Sequence, residues 1–144
     1  MKPFYLLDTN IVSELNKKNP NQQVVNRIVE NLQFSAISCF TWSELLYGQK
    51  KLPENNEGEQ KKKERLFHFI YDVVQSTFPV LGFDDFAASV FADLRIATED
   101  SGNIRPFIDL QIAALAVSQN MILVTRNCSD FAGIPGLNLE NWFE

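Results

Sequence analysis

Four acidic side chains stand where an α/β chain could do chemistry with them: Asp8, Glu44, Asp109 and Asp130. Asp8 directly follows the short apolar run Phe4-Tyr5-Leu6-Leu7, and Asp130 lies in the segment Thr125-Arg126-Asn127-Cys128-Ser129-Asp130-Phe131 that follows Met121-Ile122-Leu123-Val124. Each has a sufficient local explanation. Asp8, like Thr9 and Asn10 after it, is a good helix N-cap. Thr41-Trp42-Ser43-Glu44 fits a capping box, and for Glu44 taken alone that reading is preferred. Asp109 close after Pro106 gains from a helix dipole, and Asp130 suits a turn. Their shared placement argues for more. Two follow strands and two lie near the starts of helices that flank strands, positions that can converge on one edge of a parallel sheet. Carboxylates brought together repel unless cations neutralise them, so convergence implies a bound metal ion more readily than it implies stability.

The elements that must hold these acids are legible in the apolar spacing. Phe4–Leu7 reads as a strand and Ile11, Val12 and Leu15 as a helix after it. Val24, Val25, Ile28, Val29 and Leu32 mark a second helix, Phe34–Ser38 a strand, and Phe40–Gly48 a third helix ended by its glycine. Lys50–Lys63, polar and interrupted by Pro53 and Gly58, is expected to be a surface loop entering a helix whose apolar face is Leu66, Phe67, Ile70, Val73 and Val74. Phe78–Leu81 makes a further strand. Phe86, Ala87, Val90, Phe91, Leu94 and Ala97 stripe the next helix, which Ser101-Gly102-Asn103 breaks. Pro106 suits the first turn of a helix carrying Ile112, Ala113, Leu115 and Ala116. Met121–Val124 is a buried-type strand, and a last one falls near Leu137–Leu139. Strands alternating with helices, several apolar throughout, predict an α/β fold with a parallel sheet covered on both faces, and ligands there bind beyond the carboxyl ends of the strands.

Composition narrows the classes further. A chain of 144 residues with 45% hydrophobic content suits one domain spanning 1–144 with a proper core. No run approaches the ~20 apolar residues needed to cross a bilayer. The opening Met1–Asp8 has an apolar stretch cut short by Asp8, so it is not read as a secretory signal, and the expected location is cytoplasmic. Cys39 and Cys128 fit neither a disulfide framework nor a CxxC site. A net charge of −5 argues against a protein that coats nucleic acid, although a site that gathers carboxylates is less negative once cations are bound. Lys61-Lys62-Lys63 and Arg65 form the main basic cluster, read here as a solvated face. The single histidine, His68, lies in the same mixed helix and is read as a surface or packing residue.

The motifs carrying the acids resemble a known family. Leu6-Leu7-Asp8-Thr9-Asn10, Thr41-Trp42-Ser43-Glu44-Leu45-Leu46-Tyr47-Gly48, Asp109-Leu110-Gln111-Ile112-Ala113-Ala114, and Leu123-Val124-Thr125-Arg126-Asn127 running to Asp130-Phe131 are similar to PIN-domain proteins of the VapC/FitB toxin type. The closing Ile134-Pro135-Gly136-Leu137 through Asn141-Trp142 also looks like that family. Each motif alone is weak; four in order across nearly the whole chain are specific. The resemblance implies a PIN-like three-layer α/β/α domain with a parallel central sheet. It implies metal ligands at Asp8 and Asp109, with Glu44 and Asp130 completing the pocket and Thr9, Asn10, Thr125 and Asn127 in support. One departure is Asn103-Ile104-Arg105-Pro106-Phe107-Ile108, where the family often has a glycine-containing turn. Arg105 there either contacts RNA phosphate or pairs with a local acid.

The activity implied is that of a metal-dependent endoribonuclease, the toxin of a toxin–antitoxin pair, with transfer RNA as a target class. One or two Mg²⁺ or Mn²⁺ ions, hard cations with oxygen ligands, would acidify water for in-line attack on a phosphodiester. The implied partners are RNA, a cognate antitoxin that inserts a basic side chain among the acids, and a second copy of the chain. Rival readings are a PIN fold that has lost catalysis and only binds a partner, a haloacid-dehalogenase-like phosphatase, and a receiver domain. The phosphatase expects a second Asp where this chain has Asn10, and the receiver domain expects an Asp and Lys pair that is not found.

Overall fold

Residues 3–144 are described by a computed structural model; Met1 and Lys2, which open the stretch read above for a secretory signal, lie outside the described residues. The strands are β1 (Tyr5–Leu7), β2 (Ser35–Ser38), β3 (Val80–Leu81), β4 (Ile122–Val124) and β5 (Asn138–Glu140). The helices are α1 (Thr9–Val12), α2 (Gln22–Glu30), α3 (Cys39–Lys51), α4 (Glu57–His68), α5 (Gln75–Thr77), α6 (Asp85–Asp100), α7 (Phe107–Ser118) and α8 (Cys128–Phe131). A 3₁₀ turn, Ser13–Asn16, prolongs α1, and a π-helical segment, Phe69–Val74, joins α4 to α5.

All five strands are parallel, in the order β3-β2-β1-β4-β5. The period-two alternation of strand side chains divides them between two cores. Leu6, Ala36 and Leu123 face one core, which α6 and α7 close with Leu94, Leu110 and Leu115. Leu7, Ile37 and Val124 face the other, closed by Ile11 and Val12 of α1, Val24 and Ile28 of α2, and Ile70 and Val74 of the π-helical segment. The result is three layers, helix, sheet and helix. Leu7 and Leu123 are fully buried, so truncating either to Ala would cost about 2–5 kcal/mol.

Chain order decides where a site can form. From β1 the chain proceeds outward to β2 and β3, then returns past β1 to β4 and β5. The direction therefore switches between β1 and β4, and the connections leaving their carboxyl ends part to open a crevice. Asp8 is the residue after β1 and Thr125 the residue after β4.

Several local expectations need correction. Gly48 does not end α3, which runs to Lys51, because the glycine lies within the helix with nothing within 4 Å of where a Cβ would stand. The expected Lys50–Lys63 loop shrinks to the residues between α3 and α4, since Asn56 caps a helix that starts at Glu57. Its side-chain oxygen accepts from the Glu59 amide at 2.9 Å. Of the proposed apolar face, Ile70 and Val74 are buried with Phe69, whereas Phe67 and Val73 are exposed, because the wider π turn shifts the helical phase. Phe86 of the α6 stripe is likewise exposed. Pro106 occupies the N-cap of α7 rather than its first turn.

Candidate active site

Asp8 is both cap and site residue. Its backbone amide continues the β1–β4 ladder by donating to the Val124 carbonyl at 2.9 Å, which fixes the side chain at the crevice. One carboxylate oxygen accepts from the Thr9 amide at 2.9 Å as the N-cap of α1. The other accepts from the Thr125 hydroxyl at 2.9 Å. Thr125, fully buried, also receives the Asn127 amide at 3.1 Å and the Asn10 side-chain amide at 3.4 Å. The Asn10 carbonyl accepts from the Arg126 amide at 3.0 Å, so Asn10 and Thr125 tie the end of β4 to the start of α1.

The capping-box reading of Glu44 fails. Ser38 caps α3, accepting from the Thr41 amide at 3.0 Å, so Glu44 lies beyond the first turn and has no orphan amide to serve. Its carboxylate instead accepts from the Thr9 hydroxyl at 2.5 Å, across 35 residues of chain. Asp109 enters from the first turn of α7 and Asp130 from α8. Neither carboxylate has a hydrogen-bond or ion-pair partner among the described residues. All four acids line one cleft of about 330 Å³ with Thr9, Asn10, Asn127, Ile112 and Phe131. Ile112 was missed in the sequence, although its place three residues after Asp109 puts it on the same helix face.

Arg105 does not pair with a local acid among the described residues. Its guanidinium donates to the backbone carbonyls of Ser129 at 3.1 Å and Ala132 at 2.8 Å, stapling the approach to α7 onto α8. Asn103 reaches the same Ala132 carbonyl at 3.2 Å. A Cβ on Gly133 would lie 2.8 Å from the Asn103 amide nitrogen, and its φ is +79°, so glycine is required there. Outside the cleft, His68 pairs with Asp72 on the surface at 3.0 Å. Burial pushes the Cys128 thiol up, away from reactive thiolate.

The electrostatics follow from the convergence. Burial raises the Asp8 carboxyl above its ordinary value, the Thr9 and Thr125 hydrogen bonds oppose this, and the charges of Glu44 and Asp130 add to it. Asp109 is raised by burial first, then by Asp130 and Asp8; Arg105 offsets part of this. No cationic side chain among the described residues lines the cleft. The carboxylate and carboxamide oxygens dominate the lining, and Arg105 offsets the excess charge only in part, so the set suits a hard divalent cation chemically. No three His, Cys, Asp or Glu side chains among the described residues stand at coordinating geometry. Mg²⁺ does not require that, since it is commonly held by one or two carboxylates and keeps several waters.

The PIN domain family matches residues 5–136. The tRNA(fMet)-specific endonuclease VapC of Shigella flexneri is 32% identical over 141 residues, covering 96% of this chain and 97% of that protein. The crystal structure of FitAcB from Neisseria gonorrhoeae superposes with a TM-score of 0.87 at 27% identity, covering 98% of this chain and 99% of that one. A toxin–antitoxin complex from Klebsiella pneumoniae gives a TM-score of 0.65 at 28% identity, covering 97% and 98%. With a family match over most of its length and a relative this similar from end to end, the chain belongs to the PIN-domain family.

Proposed function

We propose that this chain is the endoribonuclease toxin of a toxin–antitoxin pair and hydrolyses RNA phosphodiester bonds in the cleft of Asp8, Glu44, Asp109 and Asp130. The observation that carries the reading is the meeting of four carboxylates, from four separate elements, at the switch point between β1 and β4 with no protein cation among them. Asp8 and Asp109 are the metal ligands, with Glu44 and Asp130 beside them, and the cation is Mg²⁺ or Mn²⁺. A bound cation supplies Lewis-acid stabilisation of phosphoryl oxygen and lowers the pKa of water.

The chain's own contribution is graded fixation. Asp8 has both oxygens engaged and acts as a rigid charge. Glu44 has Oε2 held by Thr9, which fixes one of its two oxygens at the cleft it lines. Asp109 and Asp130 are free to adjust as charge develops. Thr9 and Thr125 thus position acids rather than touch substrate, as do Asn10 and, through its amide, Asn127. Asn10 is committed to the β4 end, which disfavours the phosphatase reading that needs an acid there.

The substrate class is transfer RNA, supported by the name of the Shigella relative. The partners are a cognate antitoxin, supported by the Klebsiella complex, and a second copy of the chain. No described helix is long and apolar enough to cross a membrane, and the cytoplasm is the proposed location.

Cleavage of transfer RNA by nuclease-free protein tests the reading. Activity should require Mg²⁺ or Mn²⁺, stop with EDTA, and be lost in Asp8→Asn and Asp109→Asn while both variants remain folded. Full activity in both variants would remove the assignment, and undiminished cleavage in excess EDTA would point to different chemistry.

A further inference from the structure

We propose that a second cleft, ringed by Lys18, Lys62 and Arg65, binds the phosphodiester backbone of single-stranded RNA a few nucleotides from the cut; this rests on the ribonuclease reading. The cleft, about 460 Å³, lies between the end of the 3₁₀ turn and α4 and is lined by Asn16, Lys18, Leu52, Lys62, Arg65 and Leu66. No acidic residue among the described residues lines it.

The basic cluster of α4 is divided by the fold. Lys61 pairs with Glu57 at 3.1 Å and Lys63 with Glu54 at 3.7 Å, and next to the cleft Lys17 pairs with Glu14 at 2.8 Å. Lys18, Lys62 and Arg65 have no carboxylate within bridging distance among the described residues. Lys62, Arg65 and Leu66 stand at i, i+3 and i+4, so they share one helix face. In a chain with 18 acids against 13 Lys and Arg, three exposed cations without partners around one cleft is a strong local reversal of charge.

Two elements run from the acids to this cleft. The segment from Thr9 to Asn16 and the α3 segment from Glu44 to Leu52 both begin at the active site and end at the cationic cleft. At ~1.5 Å per helical residue each covers roughly 12 Å, a span of a few nucleotides. The acid cleft offers the scissile phosphate no protein cation, so affinity for a polyanion must come from elsewhere, and flanking phosphates are the natural source. Long cationic side chains beside aliphatic Leu52 and Leu66, with no aromatic ring among the described lining residues for a base to stack on, suit backbone rather than base recognition.

The test uses a fluorescein-labelled RNA oligonucleotide of mixed sequence, titrated over a range of salt in EDTA, which withholds the divalent cation that cleavage would need. Lys62→Gln with Arg65→Gln should weaken binding roughly tenfold at low salt and reduce the log affinity against log salt slope by about 0.7 for each phosphate no longer neutralised. Lys62→Arg with Arg65→Lys should bind as wild type. Lys61→Gln, whose cation is already paired, should leave the slope unchanged. Unaltered affinity and slope in the Gln double variant would overturn the proposal, as would equal weakening in the charge-retaining variant. So would loss of binding to a polyglutamate peptide with RNA binding intact, which would assign the cleft to an acidic protein segment. Cleavage by wild type, measured separately, reports on the ribonuclease reading independently of these outcomes.

Discussion

Glu14 and Asp8 are acids six residues apart, on either side of the same short helix, and the fold treats them oppositely. Glu14 is buried, yet its carboxylate accepts from the Asn21 amide at 2.7 Å and pairs with Lys17 at 2.8 Å. The Lys17 hydrogen bond is the leading cause that holds its carboxyl below the ordinary value, against the opposing effect of burial. Asp8 has hydrogen bonds of similar length but no cationic partner, and burial, with the charges of Glu44 and Asp130 adding to it, raises its carboxyl. One region uses a charge to join the exit of the 3₁₀ turn to the start of α2. The other concentrates negative charge that Arg105 offsets only in part. A structural acid and a site acid can both be buried and hydrogen-bonded; at Glu14 a cationic partner overcomes the effect of burial, whereas at Asp8 burial prevails and the neighbouring acids add to it.

Breaking the structural side of this contrast should have the largest effect. Glu14→Ala strands the Asn21 amide and frees Lys17, and should cost about 2 kcal/mol in urea unfolding at neutral pH, with the Mn²⁺-induced shift in Tm preserved. A variant as stable as wild type would mean that the junction contributes nothing. On the site side, Thr125→Val keeps the buried shape but removes the hydroxyl that holds Asp8, and should weaken Mn²⁺ binding by about tenfold or more in calorimetry. Unchanged affinity would show that Asp8 needs no such support.

Asp8→Asn sharpens the comparison further. Asn remains a competent N-cap while one repelling charge is gone, so the metal-free variant should be as stable as wild type or more stable, by up to about 1 kcal/mol. It should also gain less from Mn²⁺ in thermal melts. An identical metal-induced shift in both proteins would place Asp8 outside the site.

The smallest effect is in pH. Glu14, with its folded value lowered, contributes stability above its unfolded value that is lost as pH falls through the folded one. Asp8, with its folded value raised, contributes stability below its unfolded value that is lost as pH rises through the folded one. The deficit of Glu14→Ala should therefore shrink on acidification, and the advantage of Asp8→Asn should appear as pH rises. Metal-free melts between the acid range and neutrality would show the two differences diverging with pH, and parallel curves would remove the electrostatic contrast.

Apolar alternation and periodicity in the sequence determined the parallel sheet, its covering helices and the four candidate acids. Those signals are local, and they survive folding because a strand with core on both faces must be apolar throughout. The errors were local too. Gly48 is a weak helix former that α3 nevertheless runs past to Lys51, and the π turn at Phe69–Val74 shifts a phase that a 3.6-residue period assumes. What only the tertiary structure decided is which polar groups meet. Glu44 could not be separated from a capping box by its own segment, because its hydroxyl donor lies 35 residues away on another element. Of the two partners expected for Arg105, a local acid is not the one the fold supplies: its guanidinium holds two backbone carbonyls of a turn that the sequence does not bring near it. The division of the α4 lysines into paired and unpaired cations likewise depends on where Glu54 and Lys18 come to rest. Residue type and spacing set what a side chain can do, but a charge acquires its role from neighbours that chain crossover, not sequence proximity, places beside it.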